Sequence, residues 1–100
     1  MYETVETPIE KIANHYGTRR QTVKACEELG ECISALCTSL YAHPDDVGAF
    51  EHLAEEVADV RIMLDQMEFL LGLETHCAYW REFKLKRQLE RMEKENDEAR

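Results

Sequence analysis

From Phe50 to Leu71 the apolar side chains return in alternating steps of three and four: Phe50, Leu53, Val57, Val60, Leu64, Met67 and Leu71. At 3.6 residues per turn, such a series lies along one stripe of an α-helix, whereas a strand would alternate in twos. This segment therefore predicts a long helix buried along one side and ending near Leu71-Gly72. A chain of 100 residues has room for three such helices and a short one around a thin core, which a core shared between subunits would complete.

The remaining segments follow the same logic. Val23, Cys26, Gly30, Ile33, Cys37 and Leu40, flanked by Ala25, Leu29 and Leu36, predict a second long helix over about Thr18 to Tyr41, buried along that stripe. Thr7-Pro8-Ile9-Glu10 carries an N-cap, a first-turn proline and a capping-box acid, so a short helix should run to Tyr16-Gly17. Ala42 to Gly48 contains Pro44 and the paired Asp45-Asp46, and reads as a loop. After a turn at Leu73-Glu74-Thr75, a third long helix runs from Thr75 to about Lys94 with Tyr79, Trp80, Phe83, Leu85, Leu89 and Met92. The tail from Glu93 to Arg100 has almost nothing to bury and should fray. The expectation is one all-α domain over 1–100, a helical bundle of three long helices plus a short N-terminal helix, completed by oligomerisation.

Charge narrows the partners. The net charge of −9 repels nucleic acid, anionic membranes and free phosphate esters, so a phosphorylated substrate would have to arrive with a metal. No apolar run approaches the ~18 residues of a membrane span, and MYETVETPIEK lacks the basic start and apolar core of a signal peptide. A cytoplasmic location is expected. Cys26, Cys32, Cys37 and Cys77 show no CxxC spacing and read as reduced, small apolar packing residues.

Two acidic knots interrupt the apolar pattern. Glu28 and Glu31, and again Glu56 and Asp59, are three residues apart and so share a helix face. Two helices packed side by side would gather these four carboxylates. Unit charges ~4 Å apart repel by roughly 4 kcal/mol at an effective dielectric near 20, so a proton, a lysine or arginine, or a divalent cation must neutralise the group. Oxygen ligands favour Mg2+, with Mn2+ also suitable, over zinc. A single ExxE is common on solvated helix faces, where pairs such as Lys24 with Glu28 form. Glu56 and Asp59, however, border the apolar stripe beside Met63, where uncompensated acids are expensive.

Other chemistries find little support. None of His15, His43, His52 or His76 follows a glutamate by three residues, and no nucleophile motif or glycine-rich phosphate loop occurs, so the histidines read as surface or packing residues. The last helix carries Arg81, Lys84, Lys86, Arg87 and Arg91, five of the 12 lysines and arginines. That face is either solvated and paired with nearby glutamates, or it lends Lys84, Arg87 or Arg91 to the phosphates of a metal-bound ligand.

Glu27-Glu28-Leu29-Gly30-Glu31 followed by Glu56-Val57-Ala58-Asp59 resembles the EExxE…ExxD signature of the MazG-like nucleoside triphosphate pyrophosphohydrolases, in the all-α NTP pyrophosphatase superfamily. Tyr16-Gly17 with Gln21, the run AEEVADVRIMLDQMEFLLGL and FKLKRQLERMEKE extend the likeness to small stand-alone phage- and Firmicute-type members, over about residues 15 to 95. The resemblance implies dimers or tetramers, Mg2+ on the acidic motif, and hydrolysis of an NTP or dNTP to the monophosphate and pyrophosphate. It implies Glu28, Glu31, Glu56 and Asp59 as metal ligands, with Glu27 as an outer acid orienting a basic group or a water. Lys24, Lys84, Arg87 and Arg91 would then meet the substrate, the last three steadying the pyrophosphate. One departure is Lys86, where relatives tend to carry asparagine. Glu28 falls further from the apolar stripe of its helix than Glu27 or Glu31, which favours a second subunit over that face. Two other readings remain: hydrolysis of a nucleotide-like metabolite such as phosphoribosyl-ATP, and a non-catalytic helical protein that binds a partner or a nucleotide.

Overall fold

A computed structural model describes residues 5–99. Met1 to Thr4, the start of the segment read for a signal peptide, and Arg100, the end of the charged tail, lie outside the described residues. The chain is an all-α bundle, with α1 over Pro8–Tyr16, α2 over Thr18–Ser39, α3 over Val47–Leu71 and α4 over Glu74–Glu98. No helix among the described residues is long and apolar enough to cross a membrane.

Local chemistry sets the helix ends. Glu10 donates its backbone N–H to Thr7 Oγ1 at 3.2 Å, opening α1 as the capping pattern requires. Gly17, at φ 86°, both ends α1 and precedes α2, a conformation in which a side chain would be strained. Asp46 accepts from the Ala49 N–H at 3.0 Å, so α3 begins at Val47, earlier than its apolar series suggests. Gly72, at φ 65°, closes α3, and Leu73 donates back to the Glu68 carbonyl at 2.8 Å. The C-terminal segment remains helical to Glu98, beyond the expected end near Lys94, on backbone hydrogen bonds alone.

The packing departs from the expected stripes. α2 and α3 form the main helix pair, α1 lies against both, and α4 touches only α3. The side of α2 that is buried carries Gln21, Ala25, Glu28 and Ala35, and that of α3 carries Glu56, Met63, Gln66 and Met67. Small alanines let the helices approach closely, and Ala25, Met63, Met67 and Leu70 make the apolar centre. Ile33, at 62 % exposure, and Phe50, at 69 %, belong to the stripes expected inside, yet they face outward. Met67, also of the α3 stripe, is buried in that centre, so the α3 stripe is only partly covered among the described residues.

The surplus surface is large. The chain exposes 8691 Å², against about 5,900 Å² for a compact monomer of 11.7 kDa. Its radius of gyration is 18.3 Å, where about 13 Å is usual for 100 residues. Much of the excess lies on α4, which has no buried residue. There Trp80 meets Phe83 edge-on with centroids 5.6 Å apart, and the Arg87 guanidinium lies 5.5 Å from the Phe83 centroid.

Candidate metal centre

α2 and α3 bring three acids together. One carboxylate oxygen from each of Glu28, Glu31 and Glu56 lies within 4.8 Å of the others. Glu28 and Glu56 are only 7 % and 8 % exposed, while Glu31 stands at the solvent edge. Glu28 is buried because α2 turns this side, rather than its apolar stripe, towards α3. Its position against α3 removes the need for a second subunit over that residue.

The charge balance is incomplete. Lys24 Nζ lies 3.1 Å from Glu28 Oε1 and 3.8 Å from Glu27 Oε2. One lysine against the three clustered carboxylates leaves two negative charges, the deficit a divalent cation would fill. Glu28 Oε2 and Glu56 Oε2 are both buried without a hydrogen-bond partner. An unpartnered buried acceptor costs about 1–3 kcal/mol, and more when charged. The proximity of Glu28, with desolvation and the Glu56 charge, pushes the Glu31 carboxyl above the ordinary carboxylate range. The hydrogen bond and charge of Glu28 likewise raise the Lys24 ammonium. Three carboxylates this close, two of them carrying a buried unpartnered oxygen, fit a hard cation such as Mg2+, which Glu28, Glu31 and Glu56 would hold.

Other expected site residues lie further out. Asp59 follows Glu56 by three residues on α3, is half-buried, and stands outside the close carboxylate group. Glu27 is exposed at the rim beside Lys24. Lys84, Arg87 and Arg91 sit on α4, which makes no contact with α2, and no ion pair among the described residues joins them to the acids. The four cysteines are free thiols, but Cys26 and Cys37 are exposed rather than packed inside. Cys77 is held above its ordinary pKa chiefly by a hydrogen bond with Glu68. His43 pairs with Asp45 in the loop at 3.7 Å, and His15 meets the Tyr16 ring, so neither joins the cluster.

One polar pair was absent from the sequence-based site. Gln21 donates through Nε2 to Gln66 Oε1 at 2.7 Å, and Gln66 is 2 % exposed. Both line a cleft of about 970 Å³ where the α1–α2 junction meets α3, with Lys24 and Glu27 at its border. A signal was available. Gln21, Ala25, Glu28, Cys32 and Ala35 are spaced by fours and threes, as are Glu56, Asp59, Met63 and Gln66. This polar series runs out of phase with the bulkier apolar stripes.

Comparison with known proteins assigns no class: no family model matches the chain, and neither curated proteins nor solved structures give a significant match.

Proposed function

We propose that this protein is a MazG-like, Mg2+-dependent nucleoside triphosphate pyrophosphohydrolase that acts as a homo-oligomer. The observation carrying the reading is the convergence of Glu28, Glu31 and Glu56, with two buried carboxylate oxygens unpartnered and two charges uncompensated. Bound Mg2+ would supply an electrophile for phosphate oxygens and acidify a water. Glu28 and Glu56 would hold the cation from within the helix pair, and Glu31 would complete the set from the solvent edge. Asp59 supports Glu56 from the next turn of α3. Glu27, beside Lys24, orients the attacking water, and a carboxylate of the cluster takes its proton. The bond from the α-phosphorus to its bridging oxygen breaks, leaving nucleoside monophosphate and pyrophosphate.

A second copy of the chain accounts for the surplus surface of about 2,800 Å², several times the ~800 Å² per partner of a standard interface. The basic face of α4 complements the acidic α2–α3 pair. Lys84, Arg87 and Arg91, remote from the acids of their own chain, then serve the pyrophosphate end of the substrate in a neighbouring one. The free thiols fit a reducing, cytoplasmic setting. The net charge of −9 disfavours nucleic acid and anionic membrane as partners.

The exposed apolar faces also suit a non-catalytic helical interaction protein. Pyrophosphate release from a panel of NTPs, dNTPs and phosphoribosyl-ATP separates the readings. The hydrolase reading requires Mg2+-dependent release that Glu56→Gln removes. A folded protein that cleaves no member of the panel overturns it.

A further inference from the structure

The Gln21–Gln66 pair uses only part of its hydrogen-bonding capacity. Each amide carries two N–H donors and an acceptor oxygen. Within the pair one strong bond forms, Gln21 to Gln66 at 2.7 Å, and Gln66 Nε2 makes a long contact of 3.6 Å to Met63 Sδ. Gln21 is 5 % exposed, yet its Oε1 accepts no hydrogen bond and is not among the buried oxygens sealed from solvent. The opening before it is the cleft.

The other walls suit a flat ring. Val23 and Ile62 supply apolar surface, while Tyr16 offers an aromatic side with Arg20 5.1 Å from its centroid. Lys24 borders the cleft and also pairs with Glu28 of the carboxylate cluster. A molecule with phosphates at the carboxylates would thus direct its far end past Lys24 into the cleft. Amide side chains read adjacent donor and acceptor atoms on a base edge, the pattern on which bidentate glutamine recognition rests.

We propose that the cleft between the α1–α2 junction and α3 is a nucleobase site, whose hydrogen-bonding edge is read by the Gln21–Gln66 amide pair. This assignment rests on the nucleotide reading of the neighbouring carboxylates. Gln21 is the specificity-determining residue, and Gln66, more deeply buried, positions it. A site built to hydrogen-bond one edge strongly rejects rings that cannot match it, because its buried amide is then left unpaired.

The test is calorimetry of the full chain with Mg2+ and α,β-methylene analogues of the four ribonucleoside triphosphates, with Mg2+-tripolyphosphate as a probe lacking a base. The wild type is expected to prefer one base by roughly tenfold or more. Gln21→Met, similar in volume but without the amide, should reduce that preference to within about threefold and leave tripolyphosphate affinity unchanged. A second variant, Val23→Trp, narrows the cleft while keeping both glutamines and should weaken every nucleotide analogue but not tripolyphosphate. Equal binding of all four bases by the wild type, or selectivity unaltered by Gln21→Met, overturns the base site. So does a parallel loss of nucleotide and tripolyphosphate in both variants. Analogue binding with base preference, but no cleavage of the parent nucleotides, overturns the hydrolase reading and leaves the base site standing. Cleavage with no base preference does the reverse.

Discussion

Lys24 Nζ stands 3.1 Å from one oxygen of Glu28, while the other oxygen of that carboxylate is buried without a partner. The lysine thus neutralises one side of Glu28 and leaves its buried second oxygen unpartnered. A divalent ion should relieve that imbalance. At about 100 times its dissociation constant, a ligand specific to the folded state adds about 2.7 kcal/mol. For a domain of this size the melting temperature should rise by roughly 10 °C with Mg2+. Scanning calorimetry with Mg2+ and with chelator checks this, and coincident melts up to millimolar Mg2+ would refute a metal centre.

Removing the charge should have opposite effects on stability and function. Glu56→Gln keeps the side-chain size and removes one of three mutually repelling carboxylates. The metal-free protein should be unchanged or gain about 1 kcal/mol, because an uncompensated buried charge has been removed. The Mg2+ shift should vanish, and pyrophosphate release should fall on the order of a thousandfold. Asp59→Asn, outside the close group, should cost only about 10–100-fold, as supporting residues do. Equal losses in the two variants would show that Asp59 binds the ion directly.

The pH dependence has a definite sign. The Glu31 carboxyl is raised by Glu28, desolvation and Glu56, so between the ordinary value of 4.5 and its raised value the folded state binds more protons than the unfolded one. Stability from this group is present at low pH and is lost as pH rises through that interval. Lys24 acts elsewhere, since its raised value keeps its contribution intact until pH passes above 10.5. Without metal, denaturant midpoints should therefore fall as pH rises through the interval above 4.5, and Glu31→Gln should flatten that slope. An unchanged slope in Glu31→Gln would assign the effect to other carboxylates.

Trp80 and Phe83 form an exposed aromatic pair on a helix with no buried residue. On the proposal of a homo-oligomer, Phe83→Glu should give a shift to monomer at micromolar concentration in sedimentation velocity. A wild-type chain that is itself monomeric would contradict the shared-surface reading. Mixed oligomers offer a sharper check. If Arg87 serves the neighbouring chain, Glu56→Gln and Arg87→Ala, each inactive alone, should regain part of the activity when unfolded and refolded together.

The helices were legible because their signals are local. Periodic apolar residues, the Thr7 cap, Gly17 and Gly72 each act through atoms a few residues away, so their positions in the chain identify the ends of α1 and α3. The acids of the cluster were legible too, since a three-residue spacing brings Glu28 and Glu31 to one face in any helix. Legibility ended where two faces competed for the interior. Ile33 and Phe50 weigh heavily in any hydropathy pattern, yet alanine, methionine and glutamine proved the better surface for close approach of α2 to α3.

By itself, then, the sequence determined that the chain is helical, where its helices begin and end within a few residues, and which acids are paired along each helix. Those properties follow from covalent spacing and backbone hydrogen bonding. Only the tertiary structure decided which face of α2 meets α3. That single rotation buried Glu28 and Glu56 beside each other, left Asp59 to one side, joined Gln21 to Gln66, and left bulky apolar residues such as Ile33 and Phe50 outward. The phase of a helix about its own axis depends on how two surfaces fit, and the fit is a property of the pair.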